Sequence, residues 1–155
     1  MLISVAILGI MAALVAPSYL SLIEQRQIIA VAEAIADDLR WARSETLKSG
    51  SDIAVFFDYK ATNLWRYQLI DSTNAILKTV SNVDNPEFKN VSLTENLREH
   101  STKFNASRGT SEGKNGTISL YSSRRNYQLD VVLSNLGRVY ICAKASAIGD
   151  YHSCD

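Results

Sequence analysis

The chain has 155 residues, 46% of them apolar, with 16 basic and 16 acidic side chains and a formal net charge of zero. That length suits one domain built on a single core. No nucleophile–base set, phosphate loop or metal-ligand spacing occurs, so the expectation is a protein that is not an enzyme and uses no cofactor.

Residues 1–23, MLISVAILGIMAALVAPSYLSLI, carry no charge, and the first charged residue is Glu24. As a helix this run extends about 34 Å, enough for a hydrocarbon core of about 30 Å. A cleaved signal peptide fits poorly, because no basic segment precedes the run and no Ala-x-Ala-like site closes it. The expectation is a membrane-spanning helix.

The helical pattern continues beyond that run. Ile28, Val31, Ala32, Ile35, Leu39 and Ala42 recur at spacings of three and four and make one apolar stripe. Gly50 supplies the stop. One helix of about 50 residues is therefore expected, with 1–23 as its membrane half and 24–50 as its amphipathic half. Pro17 falls inside it and is the expected site of a kink or local melting.

From Ser51 the period changes to two, which predicts strands through the 51–155 β domain. Ile53–Asp58 and Leu64–Ile70 read as two strands joined by the polar turn DYKATN, and Ile76–Val80 as a third. Residues 81–116 read as loops and short strands with scattered anchors at Phe88, Val91, Leu93, Leu97 and Phe104. Three more strands, Gly116–Tyr121, Tyr127–Leu133 and Arg138–Cys142, close the chain. A three-residue loop of Asn135, Leu136 and Gly137 pairs Leu133 with Val139 and Val131 with Ile141, keeping one apolar face. It also places Gly137 where such a loop needs a positive φ. Arg138, Tyr140 and Cys142 then share the outer face.

Cys142 and Cys154 have no matched soft ligands, since His100 and His152 are isolated. In an exported domain they read as a disulfide closing a short terminal loop, the alternative being two unrelated buried thiols.

The run Leu2–Pro17, LISVAILGIMAALVAP, resembles the N-terminal signature of type IV pilins, with Pro17 where those proteins carry a helix-kinking proline. Leu39–Gly50, LRWARSETLKSG, is similar to the segment that ends the long helix in FimT-, FimU- and GspH-type minor pilins and pseudopilins. The stretch from Phe104 to Cys142, with NGTISL and SNLGRVYIC, resembles the β domain of the same group. The resemblance implies an α+β pilin-like fold, a long N-terminal helix packed on an antiparallel β-sheet. It also implies partners among other pilins, and an inner-membrane subunit with a periplasmic domain that reaches the cell surface in the assembled pilus. The family's leader, processing glycine and glutamate would stand ahead of Met1; an upstream start encoding them is expected, the alternative being a truncated copy.

Within the group, FimT-type subunits are implicated in binding DNA through a Gly-Arg-x-Arg element. Here the element reads Gly137-Arg138-Val139-Tyr140. Between Arg98 and Lys144 eight basic residues face three acidic ones, an excess of five positive charges. Arg138, Tyr140, Arg124, Arg125 and Lys144 are thus candidate contacts to double-stranded DNA in a minor pilin of a type IV pilus. Two readings stand against this: solvated basic side chains of a β domain, and a GspH-like pseudopilin of a type II secretion system.

Overall fold

The computed structural model describes residues 2–61, 63–112, 115–122, 127–144 and 147–154, with side chains described from residue 19 onward except at 59–61. A single helix, α1, spans Leu2–Ser49, 48 residues or about 72 Å. It is continuous through Pro17, whose side chain lies outside the described residues. The helix stops as the sequence dictates. Gly50 turns to φ +67° and donates its N–H to the Thr46 carbonyl at 3.0 Å. A left-handed residue here ends the hydrogen-bond ladder without a Cβ penalty.

Among the described residues no helix is long and apolar enough to cross a membrane. The uncharged 1–23 run falls, as far as residue 18, outside the side chains described.

The stripe expected on the rear half of α1 is the buried face. Ile28, Val31, Ala32 and Ala42 are fully inaccessible, and Ile35 and Leu39 are nearly so. They meet two antiparallel sheets where a single one was expected. Among the described residues nine strands follow: β1 Ile53–Ala61, β2 Leu64–Asp71, β3 Ile76–Ser81, β4 Val91–Glu95, β5 Ser101–Phe104, β6 Ser111–Glu112, β7 Gly116–Ser122, β8 Gln128–Leu133 and β9 Val139–Ala143. The first sheet has the order β3-β2-β1-β5-β6 and the second β4-β7-β8-β9. The turn between β1 and β2 is tighter than DYKATN, because β1 continues through Tyr59 to Ala61, which pairs with Leu64.

Alternation supplies the inner faces. Val55, Phe57, Trp65, Tyr67 and Leu69 come from the first sheet, and Leu93, Ile118, Leu120, Leu129, Val131 and Leu133 from the second. Burial of such side chains is the main favourable term, about 1.5–3 kcal/mol each. Trp65 ties the sheets together, donating its indole N–H to the Val91 carbonyl at 2.8 Å. Asp38 fastens α1 to the first sheet by accepting the Tyr67 hydroxyl at 2.8 Å and the Lys78 ammonium at 2.6 Å.

The last residues return to the helix. Cys142 and Cys154 form a disulfide, with Cα atoms 5.0 Å apart. Ala143 and Ser153 bridge in parallel, so the tail lies along β9. Ile148 is buried, and the Tyr151 hydroxyl donates to Glu33 of α1 at 2.7 Å.

Candidate functional site

The turn between β8 and β9 has the expected register, with Leu133 opposite Val139, Val132 opposite Tyr140 and Val131 opposite Ile141. Ser134 closes it by donating its N–H to the Arg138 carbonyl and accepting the N–H of Gly137, both at 2.9 Å. The Ser134 hydroxyl accepts the Arg138 N–H at 3.1 Å. Gly137 sits at φ +73°, a conformation that side-chain-bearing residues rarely adopt. This geometry sends Arg138 and Tyr140 into solvent, Tyr140 with 51% of its surface exposed.

Beside the turn runs α1, and a cleft of about 690 Å³ opens between them. Arg40, Arg43, Ser44 and Leu47 form its helix wall, with Gly137, Arg138, Val139 and Tyr140 opposite. Two of its three guanidiniums are tethered by backbone carbonyls. Arg40 bonds Asp37 at 2.8 Å on its own helix and reaches the Val139 carbonyl at 3.3 Å. Arg43 donates its Nε–H to the Gly109 carbonyl at 2.9 Å. No acidic side chain among the described residues pairs with Arg43 or Arg138. With Asp37 the one acid bonded to these arginines, the wall is net cationic and suits phosphate or carboxylate oxygens.

The other residues named from sequence separate from this cleft. Lys144 lies in an adjoining groove with Thr94, Ser119 and Asp130, and its ammonium stands 3.7 Å from the Asp130 carboxylate. Cys142 belongs to the outer row but is covered, 6% exposed, because the tail folds over it. Arg124 and Arg125 lie outside the described residues. His100 is not isolated: its Nδ1 meets Glu95 Oε1 at 2.5 Å, an interaction local to the segment before β5. His152 is exposed in the tail. Arg40 and Arg43 were not singled out from sequence. Their signal was two arginines three apart, flanking the buried Leu39 and Ala42 in LRWAR.

The family model described as type II transport protein GspH matches residues 31–137, more than half of the chain. The chain belongs to the GspH family. Solved structures resembling this GspH-family chain are those of subunits in pili and secretion systems. The minor pseudopilin EpsH from the type 2 secretion system of Vibrio cholerae superposes with a TM-score of 0.57 at 16% identity, covering 76% of this chain and 97% of that one. The type IV minor pilin FimU of Pseudomonas aeruginosa gives a TM-score of 0.60 at 16% identity, covering 79% and 96%. At that identity the likeness is one of fold, and it establishes the α+β pilin-like architecture. No protein with a curated description matches the sequence. The GspH-family chain is thus a minor pilin or pseudopilin, a structural subunit and not an enzyme.

Proposed function

We propose that this GspH-family subunit is a minor pilin of a type IV pilus that contacts double-stranded DNA through the cleft beside Gly137. Residues 1–23 would hold it in the inner membrane before assembly and pack against other pilins afterwards, with the β domain periplasmic and then at the cell surface. The observation that carries the DNA reading is the open cationic cleft presenting Arg138 next to Tyr140. In a duplex the bases are already stacked, so Tyr140 would serve as a hydroxyl donor to a phosphate more readily than as a stacking platform.

The test is retardation of duplex DNA by the full chain in detergent, across a range of salt concentrations. Binding should weaken steeply as salt rises, and Arg138→Ala should weaken it roughly 5- to 10-fold. Absence of retardation at low salt would sink the DNA reading.

The family model's own description, and the likeness to EpsH, favour a second reading: a pseudopilin of a type II secretion system. Such a subunit would leave DNA unretarded and would co-purify with other pseudopilins.

A further inference from the structure

We infer that α1 supplies half of the phosphate-binding surface, through Arg40 and Arg43, so that the DNA backbone lies across the junction of helix and turn. This rests on the DNA-contact reading above and adds residues from a different part of the chain.

Positions 40 and 43 are three apart and so lie on one side of the helix. Both line the same cleft as Arg138 and Tyr140. Arg40 reaches across to the Val139 carbonyl of β9, and Arg43 to the Gly109 carbonyl in the loop before β6. A guanidinium has five N–H donors in a rigid fork, so these bonds fix its position and leave donors for a ligand. A side chain already ordered in the free protein loses less entropy on binding. Each strand of duplex DNA carries one charge per roughly 3.4 Å of axis, so a single backbone offers several phosphates to three clustered cations.

Asp37 is the internal competitor. It bonds Arg40 at 2.8 Å and is itself largely exposed, so its carboxylate occupies donors that a phosphate would take. Removing its charge should strengthen binding.

Three variants of the full chain test this by salt titration of duplex binding. Arg40→Gln keeps an unbranched stem, and Arg43→Gln keeps an amide donor for the Gly109 carbonyl. Each should weaken binding roughly 5-fold and lower the slope of log affinity against log salt by about one, the signature of a lost phosphate contact. Asp37→Asn should tighten binding about 3-fold. Asp84→Asn, the same charge change in a separate recess beside Leu64 and Trp65, should change it less. If Arg138→Ala weakens binding while the three α1 variants leave affinity and slope unchanged, the inference is overturned and the function above stands. If the unaltered chain retains no DNA, both fall. Thermal midpoints matching the unaltered chain separate a lost contact from a lost fold; a lower midpoint with an unchanged salt slope would also overturn the inference, because the arginine would then be structural.

Discussion

Gly137 and Arg43 meet at the carbonyl oxygen of Gly109. A Cβ built on Gly137 would stand 2.4 Å from that oxygen and 3.0 Å from Arg43 Nε, so this approach closes only because the side chain is a hydrogen. Gly137 thus serves the turn twice, through its positive φ and through this close approach. Gly137→Ala should lower stability by about 2 kcal/mol or more, combining left-handed strain with displacement of the Arg43 bond. Gly50 offers the comparison, because its φ is +67° but nothing lies within 4 Å of its would-be Cβ. Gly50→Ala should cost about 1 kcal/mol, strain alone. Thermal midpoints read by circular dichroism check this, at about 3 °C per kcal/mol. Equal losses at the two glycines would refute the close-approach argument.

Asp38 is the second joint between helix and sheet. Asp38→Ala leaves the buried Tyr67 hydroxyl without its acceptor and should destabilise by about 2–3 kcal/mol. Lys78, half exposed at 49%, recovers hydration when Asp38 is lost, so Lys78→Ala should cost no more than about 1 kcal/mol. A larger effect at Lys78 than at Asp38 would show that the ion pair, not the Tyr67 bond, governs the joint.

The disulfide closes a loop of twelve-residue separation over the edge of β9. In the chain-entropy account such a closure stabilises by about 3 kcal/mol. The double variant Cys142→Ser/Cys154→Ser should lose about that much. It should also expose the tail after Lys144 to limited proteolysis, because what still holds it is Ile148 in the core, the Tyr151 bond to Glu33 and the two backbone bonds between Ala143 and the His152–Cys154 segment. Proteolytic rates identical to those of the oxidised chain would contradict this.

Acid should weaken the first sheet's rim. The Ala106 N–H and then Lys103 hold the Asp52 carboxyl below its usual range. Asn105 and then Lys103 do the same for Glu112. The Thr73 hydroxyl and the Ala75 N–H lower Asp71. Depressed folded-state values mean the unfolded chain takes up protons first. The stabilisation is therefore complete above about pH 4 and is lost as pH falls through the lower folded-state values. The thermal midpoint should fall below about pH 4, and less steeply in Asp52→Asn. A curve for that variant parallel to the unaltered chain's would remove Asp52 from the account.

Alkali acts at the tail. Burial, and then the bond to Glu33, push the Tyr151 phenol up to about 12. A raised value favours the folded state below the ordinary tyrosine pKa of about 10, and the advantage is lost as pH rises towards the folded value. Phenolate absorbance should show a component titrating near 12 that Tyr151→Phe removes, distinct from the buried Tyr67 phenol, which burial and then Asp38 push higher still. An unchanged titration curve in that variant would assign the late phenol elsewhere.

The helix, its stop and the β8–β9 register were legible because each rests on local rules. The apolar spacing from Ile28 to Ala42 names a buried face, Gly50 a terminus, and Gly137 a turn with one consistent pairing. The two-sheet arrangement was not, because β5 pairs with β1 across more than forty residues of intervening chain. Short strands such as Val91–Glu95 and Ser111–Glu112 carry too few residues for a period to declare itself. Half of the cleft was hidden for a related reason. Arg40 and Arg43 read as polar neighbours of Leu39 and Ala42, and only the packing of α1 beside β9 brings them opposite Arg138.

The continuous helix also sets how the molecule bears tension. Among the described residues, a series of side-chain ties joins the rear of α1 to the β domain, including Glu33 to Tyr151, Asp38 to Tyr67, Arg40 to Val139 and Arg43 to Gly109. They lie along the axis, like rivets in a lap joint. A pull on the front half, directed along that axis, loads the ties and the apolar stripe together in shear, where a pull across the axis would peel them one at a time.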